Sequence, residues 1–251
     1  MSIAIVFGAS GGIGQEFVKQ ALKRHAVVYA CSRPSADIVD DTPLPDIKTM
    51  DNGLQTVKMD VLNEKHLKQL ANQIINQYGH VDLIVNATGI LHDSNGLEPE
   101  KKIEDFNLDN FNKVFQINTA STALIAKHFI TLLNKFDAQP AILAALSARV
   151  GSISDNQLGG WYSYRASKAA LNQIIKTLSI EVARRNKNTA VIALHPGTTD
   201  TNLSKPFQQN VKPEKLFSAE YSVQKMFQII DNLFIEDNGK FYAWDGSTIE
   251  W

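Results

Sequence analysis

The 251-residue chain has a single cysteine, Cys31, and no surplus of either charge: 25 Lys+Arg stand against 26 Asp+Glu, a formal net charge of -1. One cysteine excludes an internal disulfide framework and a cysteine-rich zinc site, and it fits a reducing compartment. The balance of charge leaves no overall basic field to draw in nucleic acid or an anionic membrane surface, so neither is expected as a partner. No apolar run approaches the roughly 18 residues that span a bilayer. Met1-Ser2 leads directly into Ile3–Phe7, without the basic stretch and small-residue cleavage site of a secretory signal. The expectation is a soluble, cytoplasmic protein. Six histidines are scattered through the chain without ligand spacing, and no catalytic metal is expected. Internal repeats and low-complexity linkers are also missing.

What is present is alternation. Short apolar runs at Ile3–Phe7, Ala26–Cys31, Thr56–Met59, Val81–Val85, Ala141–Leu146 and Ala190–Leu194 are continuous rather than alternating, the pattern of strands buried on both faces. Helical spacing fills the gaps at Gly12–Arg24, Asn63–Tyr78, Leu108–Phe136, Tyr162–Arg185 and Ser218–Phe234, and a weak last strand is expected at Lys240–Ala243. Strand and helix repeated in this way predict an α/β fold: a single Rossmann-type, doubly wound parallel sheet with helices on both faces, one domain over residues 1–251. Two stretches break the pattern. Pro34 to Leu54 carries five aspartates, two internal prolines and Gly53 where a crossover helix would be expected. It reads as a solvated connection with at most a helical turn, or as an acidic docking patch. Pro196 to Phe217, also proline-containing, follows a strand's carboxyl end, where open α/β sheets bind ligands.

Gly8-Ala9-Ser10-Gly11-Gly12-Ile13-Gly14 sits between the first strand and the first helix. Glycines let the backbone turn tightly and approach a pyrophosphate, and the helix start offers free N–H groups and the positive end of its dipole. The second strand ends Ser32-Arg33 rather than in an acidic residue, and a guanidinium pairs with phosphate, which favours NADP(H) over NAD(H). Asp37 stands near enough in sequence to compete. Tyr164 and Lys168 are four apart at the start of a helical segment and share one face. A neighbouring ammonium lowers a phenol's pKa, so Tyr164 is expected to exchange a proton with a carbonyl or alcohol oxygen. Tyr162 has no lysine four residues on.

The glycine spacing, with Gly8, Gly12 and Gly14, resembles that of the short-chain dehydrogenases/reductases, and the resemblance covers essentially the whole chain. The loop Gly151–Trp161 and the ending Asp245–Trp251 are similar to the C-factor/sniffer-type carbonyl reductase branch. The resemblance implies a cofactor site of Gly8, Ser10, Gly12, Ile13, Gly14, Ser32, Arg33, Asp60, Val61, Asn86, Ala87, Gly89, Tyr164, Lys168, Pro196, Gly197, Thr199 and Thr201. It implies catalysis by Tyr164 as general acid/base, Lys168 beside it, Asn118 holding a water that continues the Lys168 relay, and a serine that hydrogen-bonds the substrate oxygen. The family pattern Ser-Ser-x-x-Gly places that serine at Ala148, in Ser147-Ala148-Arg149-Val150-Gly151. Ser147 takes its place, Ser152 or Ser154 substitutes, or the hydroxyl is missing; all three stay open. The resemblance further implies a substrate lid at about 198–217 and either pairing through the long helices, as a homodimer or homotetramer, or a monomer. Trp161 lines the substrate entrance or simply packs, and His195 is expected to be structural. The implied activity is NADPH-dependent reduction of a small carbonyl compound. The alternative is a nucleotide-binding signalling protein with weak or no catalysis, and an epimerase or dehydratase is a weaker third.

Overall fold

A computed structural model describes residues 1–34, 44, 47–134, 139–185, 188–209 and 211–251. In chain order the elements are β1 (Ile3–Phe7), α1 (Gly12–Ala21), β2 (Val27–Ser32), β3 (Lys48–Thr49), β4 (Leu54–Lys58), α2 (Glu64–Tyr78), β5 (Leu83–Asn86), α3 (Leu108–Phe115), α4 (Ser121–Phe129), β6 (Ala141–Leu146), α5 (Tyr162–Arg185), β7 (Thr189–His195), β8 (Thr198–Thr199), β9 (Leu216–Phe217), α6 (Ala219–Asp231) and β10 (Phe241–Ala243). The large sheet runs β10-β7-β6-β5-β1-β2-β4-β3. Every neighbouring pair is parallel except β3 with β4. The expected doubly wound parallel sheet is present, and the weak last strand closes one edge against β7.

The strands are apolar throughout because both faces are covered. Ile3, Ile5 and Phe7 of β1 point into a core with Leu67, Leu70 and Ile74 of α2, Phe129 of α4, and Leu171 and Ile175 of α5. Ala4 and Val6 point the other way, against Phe17 and Ala21 of α1 and Val223, Met226, Phe227 and Ile230 of α6. Strand order reverses between β1 and β5, which opens a crevice at the carboxyl ends of the strands.

Three expectations need correction. The stretch from Pro34 to Leu54 is not only solvated connection: its described part contains β3, a two-residue antiparallel edge strand. Asp37, Asp40, Asp41 and Asp46 lie outside the described residues, and so does the reading of an acidic patch. The long helix Leu108–Phe136 is not continuous. A π-helical turn, Gln116–Ala120, separates α3 from α4, with the Ser121 amide donating to the Gln116 carbonyl five residues back. Helical structure then stops at Leu132, because Val81 donates to the Leu132 carbonyl and Asn134 to the Val81 carbonyl, drawing the chain to the sheet edge. Phe136 lies outside the described residues. Among those described, no helix is long and apolar enough to cross a membrane.

Candidate active site

The crevice is a cleft of about 490 Å³, within the usual range for small-molecule and cofactor sites. Its floor is the glycine turn. Gly8 adopts φ +78, a left-handed conformation, and a Cβ at Gly14 would stand 2.1 Å from the Gly8 carbonyl oxygen. Only glycine permits the turn to fold this tightly onto the first helical turn. Among the described residues no side chain caps the start of α1, so its first amides face the cleft without a side-chain cap. Gly8, Ser10, Gly12, Ile13 and Gly14 all line the cleft.

The ends of β2 and β4 close one side with Ser32, Arg33, Asp60 and Val61. The Lys58 ammonium donates to Ser32 Oγ at 2.9 Å, which puts a cation on the residue before Arg33, although Lys58 itself is outside the cleft lining. Sequence reasoning missed Lys58; its place at the end of a strand parallel to β2 was the available signal. Asp60 is fixed in its turn by accepting from the Leu62 amide at 2.8 Å.

Ala87, Thr88 and Gly89 follow β5 along the cleft wall. Thr88 Oγ1 is buried with no hydrogen-bond partner among the described residues, an orphaned polar atom that a bound polar ligand would satisfy. An uncapped helix start, a glycine cradle, Arg33 in the cleft with Lys58 on Ser32, and an orphaned hydroxyl together fit a phosphorylated dinucleotide. Asn86 does not reach the cleft. Its amide donates to Thr122 Oγ1 at 2.8 Å and accepts from the Thr88 amide at 3.0 Å, which shapes the turn from behind.

Tyr164 and Lys168 enter from the first turns of α5, both buried and both lining the cleft. The Lys168 ammonium donates to the Leu146 carbonyl at 2.8 Å and lies 5.7 Å from the centre of the Tyr164 ring. Here the expectation about the phenol fails. Burial pushes Tyr164 up to about 12 rather than down, and burial also pulls Lys168 down to about 8. Both groups are desolvated, and in each the neutral form gains.

Asn118 sits in the π-helical turn, and its side chain makes three hydrogen bonds. Its Oδ1 accepts from the Ile90 amide at 2.7 Å, and its Nδ2 donates to the Ile90 carbonyl at 2.9 Å and to Ser167 Oγ at 3.1 Å. A Cβ placed on Gly89 would lie 3.6 Å from Asn118 Oδ1 and 3.7 Å from Lys168 Nζ, so the two groups meet around Gly89. The side chain therefore ties the wall to α5: both of its amide protons are engaged, and Oδ1 keeps a second lone pair.

Ser147 does line the cleft, but its hydroxyl proton goes elsewhere. It donates to Asn172 Oδ1 at 2.6 Å, and Asn172 Nδ2 donates to the Gly151 carbonyl, which leaves Oδ1 as the acceptor. In this arrangement the Ser147 proton serves Asn172, while the hydroxyl itself faces the cleft. Ser152 and Ser154 pair with each other at 3.2 Å and do not line the cleft. Asn172, four residues beyond Lys168 on the same face of α5, was not anticipated.

Beyond β7, Pro196 and Thr201 line the cleft, whereas Gly197 and Thr199 lie behind it, against Phe217 and Ser222. Residues 198–209 and 211–217 are pinned by the parallel pair β8 and β9 and by a hydrogen-bond contact between His92 Nε2 and the Asn202 carbonyl at 3.0 Å. Phe207 packs edge-on against Trp161, 5.1 Å between centroids, and Trp161 against Tyr164 at 6.1 Å. His195 does not line the cleft; burial lowers its pKa to about 4 and keeps it neutral.

The family's sequence model, described as short chain dehydrogenase, matches residues 2–212. The chain belongs to the short-chain dehydrogenase family. Among its relatives, a Rhodococcus protein named 1-hydroxy-2-glutathionyl-2-methyl-3-butene dehydrogenase is 27% identical and covers 100% of both chains. The C-signal of Myxococcus xanthus is 29% identical over 69% of this chain and 94% of its own length. Carbonyl reductase from chicken fatty liver, solved with NADPH bound, superposes with a TM-score of 0.81 at 23% identity, covering 100% of this chain and 94% of that one. Carbonyl reductase Sniffer of D. melanogaster superposes at 0.80 and 22%, covering 100% and 99%. These likenesses agree with the branch expected from the loop and the chain ending, and the sheet order is the family fold.

Proposed function

We propose that this short-chain dehydrogenase is an NADPH-dependent reductase of a small carbonyl compound. The observation that carries the reading is that one cleft brings a glycine cradle on an open helix start together with the buried pair Tyr164 and Lys168. The nicotinamide cofactor, when bound, supplies the hydride. The chain's own residues bind, orient and move a proton. The turn Gly8–Gly14 and the amides at the start of α1 hold the pyrophosphate, Arg33 and Lys58 the phosphate of the adenosine ribose, and the Thr88 hydroxyl a polar group along the wall. The NADPH-bound chicken-liver reductase and the NADP-bound members of this fold support the cofactor class.

Tyr164, held neutral by burial, presents an O–H proton. Hydride adds to the carbonyl carbon, the C=O π pair moves to oxygen, and that oxygen takes the Tyr164 proton, giving the alcohol. The phenolate left behind is stabilised by the Lys168 ammonium. With a pKa near 8, Lys168 is still mostly protonated at neutral pH yet able to pass its proton on. The Ser147 hydroxyl is engaged with Asn172, which leaves Tyr164 as the main donor to the oxygen. Residues 198–217 serve as the lid over the substrate end, within the single domain. NADPH oxidation is to be followed over a panel of small ketones, aldehydes and quinones. A wild-type rate above that of Tyr164→Phe is expected, and equal rates across the panel would overturn the reading. The second reading, a nucleotide-binding signalling protein, is favoured by Ala148, by the engaged Ser147 and by the likeness to C-signal. It predicts NADPH binding with no turnover.

A further inference from the structure

Glu100 lies between β5 and α3, far in sequence from the proton donor, yet it is clamped to the start of the helix that carries it. Glu100 is one of two buried carboxylates among the described residues, at 5% exposure, and it has no cation within ion-pair distance among them. A buried carboxylate without a countercharge is costly unless its oxygens are held by donors. Here the donors are those of the α5 N-terminus. The Ser163 amide donates to Oε2 at 3.1 Å, and the Ser163 hydroxyl donates to Oε1. The Glu100 main-chain carbonyl accepts from the Trp161 amide at 2.5 Å. The positive end of the helix dipole favours the anion there.

An ordinary N-cap comes from the residue next to the helix. This one comes from 63 residues upstream, so it couples two walls of the cleft. The segment before Glu100 includes Gly89–Asp93 on one wall, and α5 carries Tyr164 and Lys168 on the other. The clamp also holds an unfavourable backbone. Trp161 has φ 53, the only positive value for a non-glycine residue among those described, and it follows Gly159 and Gly160 at φ 64 and 65. A left-handed tryptophan persists only where its surroundings hold it. Arg165 Nε grips the same turn by donating to the Gly159 and Gly160 carbonyls at 3.2 and 3.0 Å.

We propose that Glu100 is a positioning residue: by capping α5 from the opposite wall it fixes the first helical turn and so the direction of the Tyr164 phenol and the Trp161 ring beside it. The proposal rests on the reductase reading for its effect on turnover, but its structural half does not.

The test uses the full chain and its Glu100→Gln, Glu100→Ala and Ser163→Ala variants. NADPH affinity is read by fluorescence titration and turnover with the panel carbonyl that the wild type reduces fastest. The aromatic band of near-UV circular dichroism is read without ligand, with Trp161→Phe identifying its Trp161 component. Glu100→Gln keeps the size and one acceptor oxygen, and is expected to lower kcat about 10-fold with KM and NADPH affinity within about 3-fold. Glu100→Ala is expected to lower kcat about 100-fold and Ser163→Ala about 3-fold, and all three variants lose part of the Trp161 band. Rates are referred to the concentration of NADPH-binding sites, so a partly unfolded variant does not mimic the effect. Should Glu100→Ala fail to fold, the other two variants carry the same comparison. Wild-type kcat and a wild-type Trp161 band in Glu100→Gln would overturn the proposal, as would equal losses in kcat and NADPH affinity. A wild type that turns over nothing, with the band lost in Glu100→Gln, would defeat the reductase reading and uphold the clamp.

Discussion

The two ends of the cleft are built by different means. At the glycine-turn end the backbone does the recognising: a left-handed Gly8, a Gly14 with no room for Cβ, and an uncapped helix start. At the Tyr164 end the side chains hold one another: Ser147 to Asn172, Asn118 to Ile90 and Ser167, Glu100 to Ser163. A backbone cradle tolerates variation around it and fails abruptly at its glycines. A network of polar side chains distributes its function, so residues of the expected type can be present and still be engaged elsewhere.

The contrast can be broken or sharpened by substitution. Tyr164→Phe removes the proposed proton donor, and kcat/KM for NADPH oxidation is expected to fall about 1,000-fold with NADPH affinity within about 3-fold. Gly14→Ala, whose Cβ would collide with the Gly8 carbonyl, is expected to weaken NADPH binding about 100-fold and to lower Tm, read by titration and by thermal melting. Arg33→Ala with Lys58→Ala is expected to weaken NADPH about 30-fold and leave NADH unchanged, since each exposed cation contributes on the order of 1 kcal/mol to a phosphate.

Lys168→Met tests the electrostatic cost of the substrate end. The lysine's fall from 10.5 to about 8 means that the folded state holds its proton less tightly than the unfolded chain. The penalty is full below pH 8, shrinks as pH rises and vanishes above about 10.5. It amounts to roughly 3 kcal/mol, partly offset by about 1 from the hydrogen bond to Leu146. The variant is therefore expected to be inactive but about 2 kcal/mol more stable at pH 7, with the gain lost near pH 10, in denaturant titrations. Ser147→Ala has the smallest expected effect, within about 3-fold in kcat, because its proton already serves Asn172. A loss of 100-fold or more would place Ser147 on the substrate oxygen after all.

The contrast also explains what could be read from the chain. Strand and helix order, the glycine turn and the Tyr164–Lys168 pair depend on spacings of a few residues, and local geometry turns those spacings into structure. Lys58, Asn172 and Glu100 depend on which distant segments are brought together, and nothing in their own neighbourhoods marks them. The same holds for the break at Leu132, set by pairing with Val81 rather than by any proline or glycine. The phenol was misread because proximity of a positive charge is visible in a sequence and depth of burial is not.

The π-helical turn at Gln116–Ala120 has a consequence for how the chain can be altered. It inserts one residue into what would otherwise be a regular helix, and each α-helical residue advances the phase by about 100°. The helix is thus two rods clocked independently. The first is keyed to the cleft loop through Lys113 and Asp93, and the second is keyed to the core through Ile125 and Phe129. Deleting one residue from the turn would make the rod continuous and straighter, yet it would rotate one key out of its lock. Length at this point is under tighter constraint than composition.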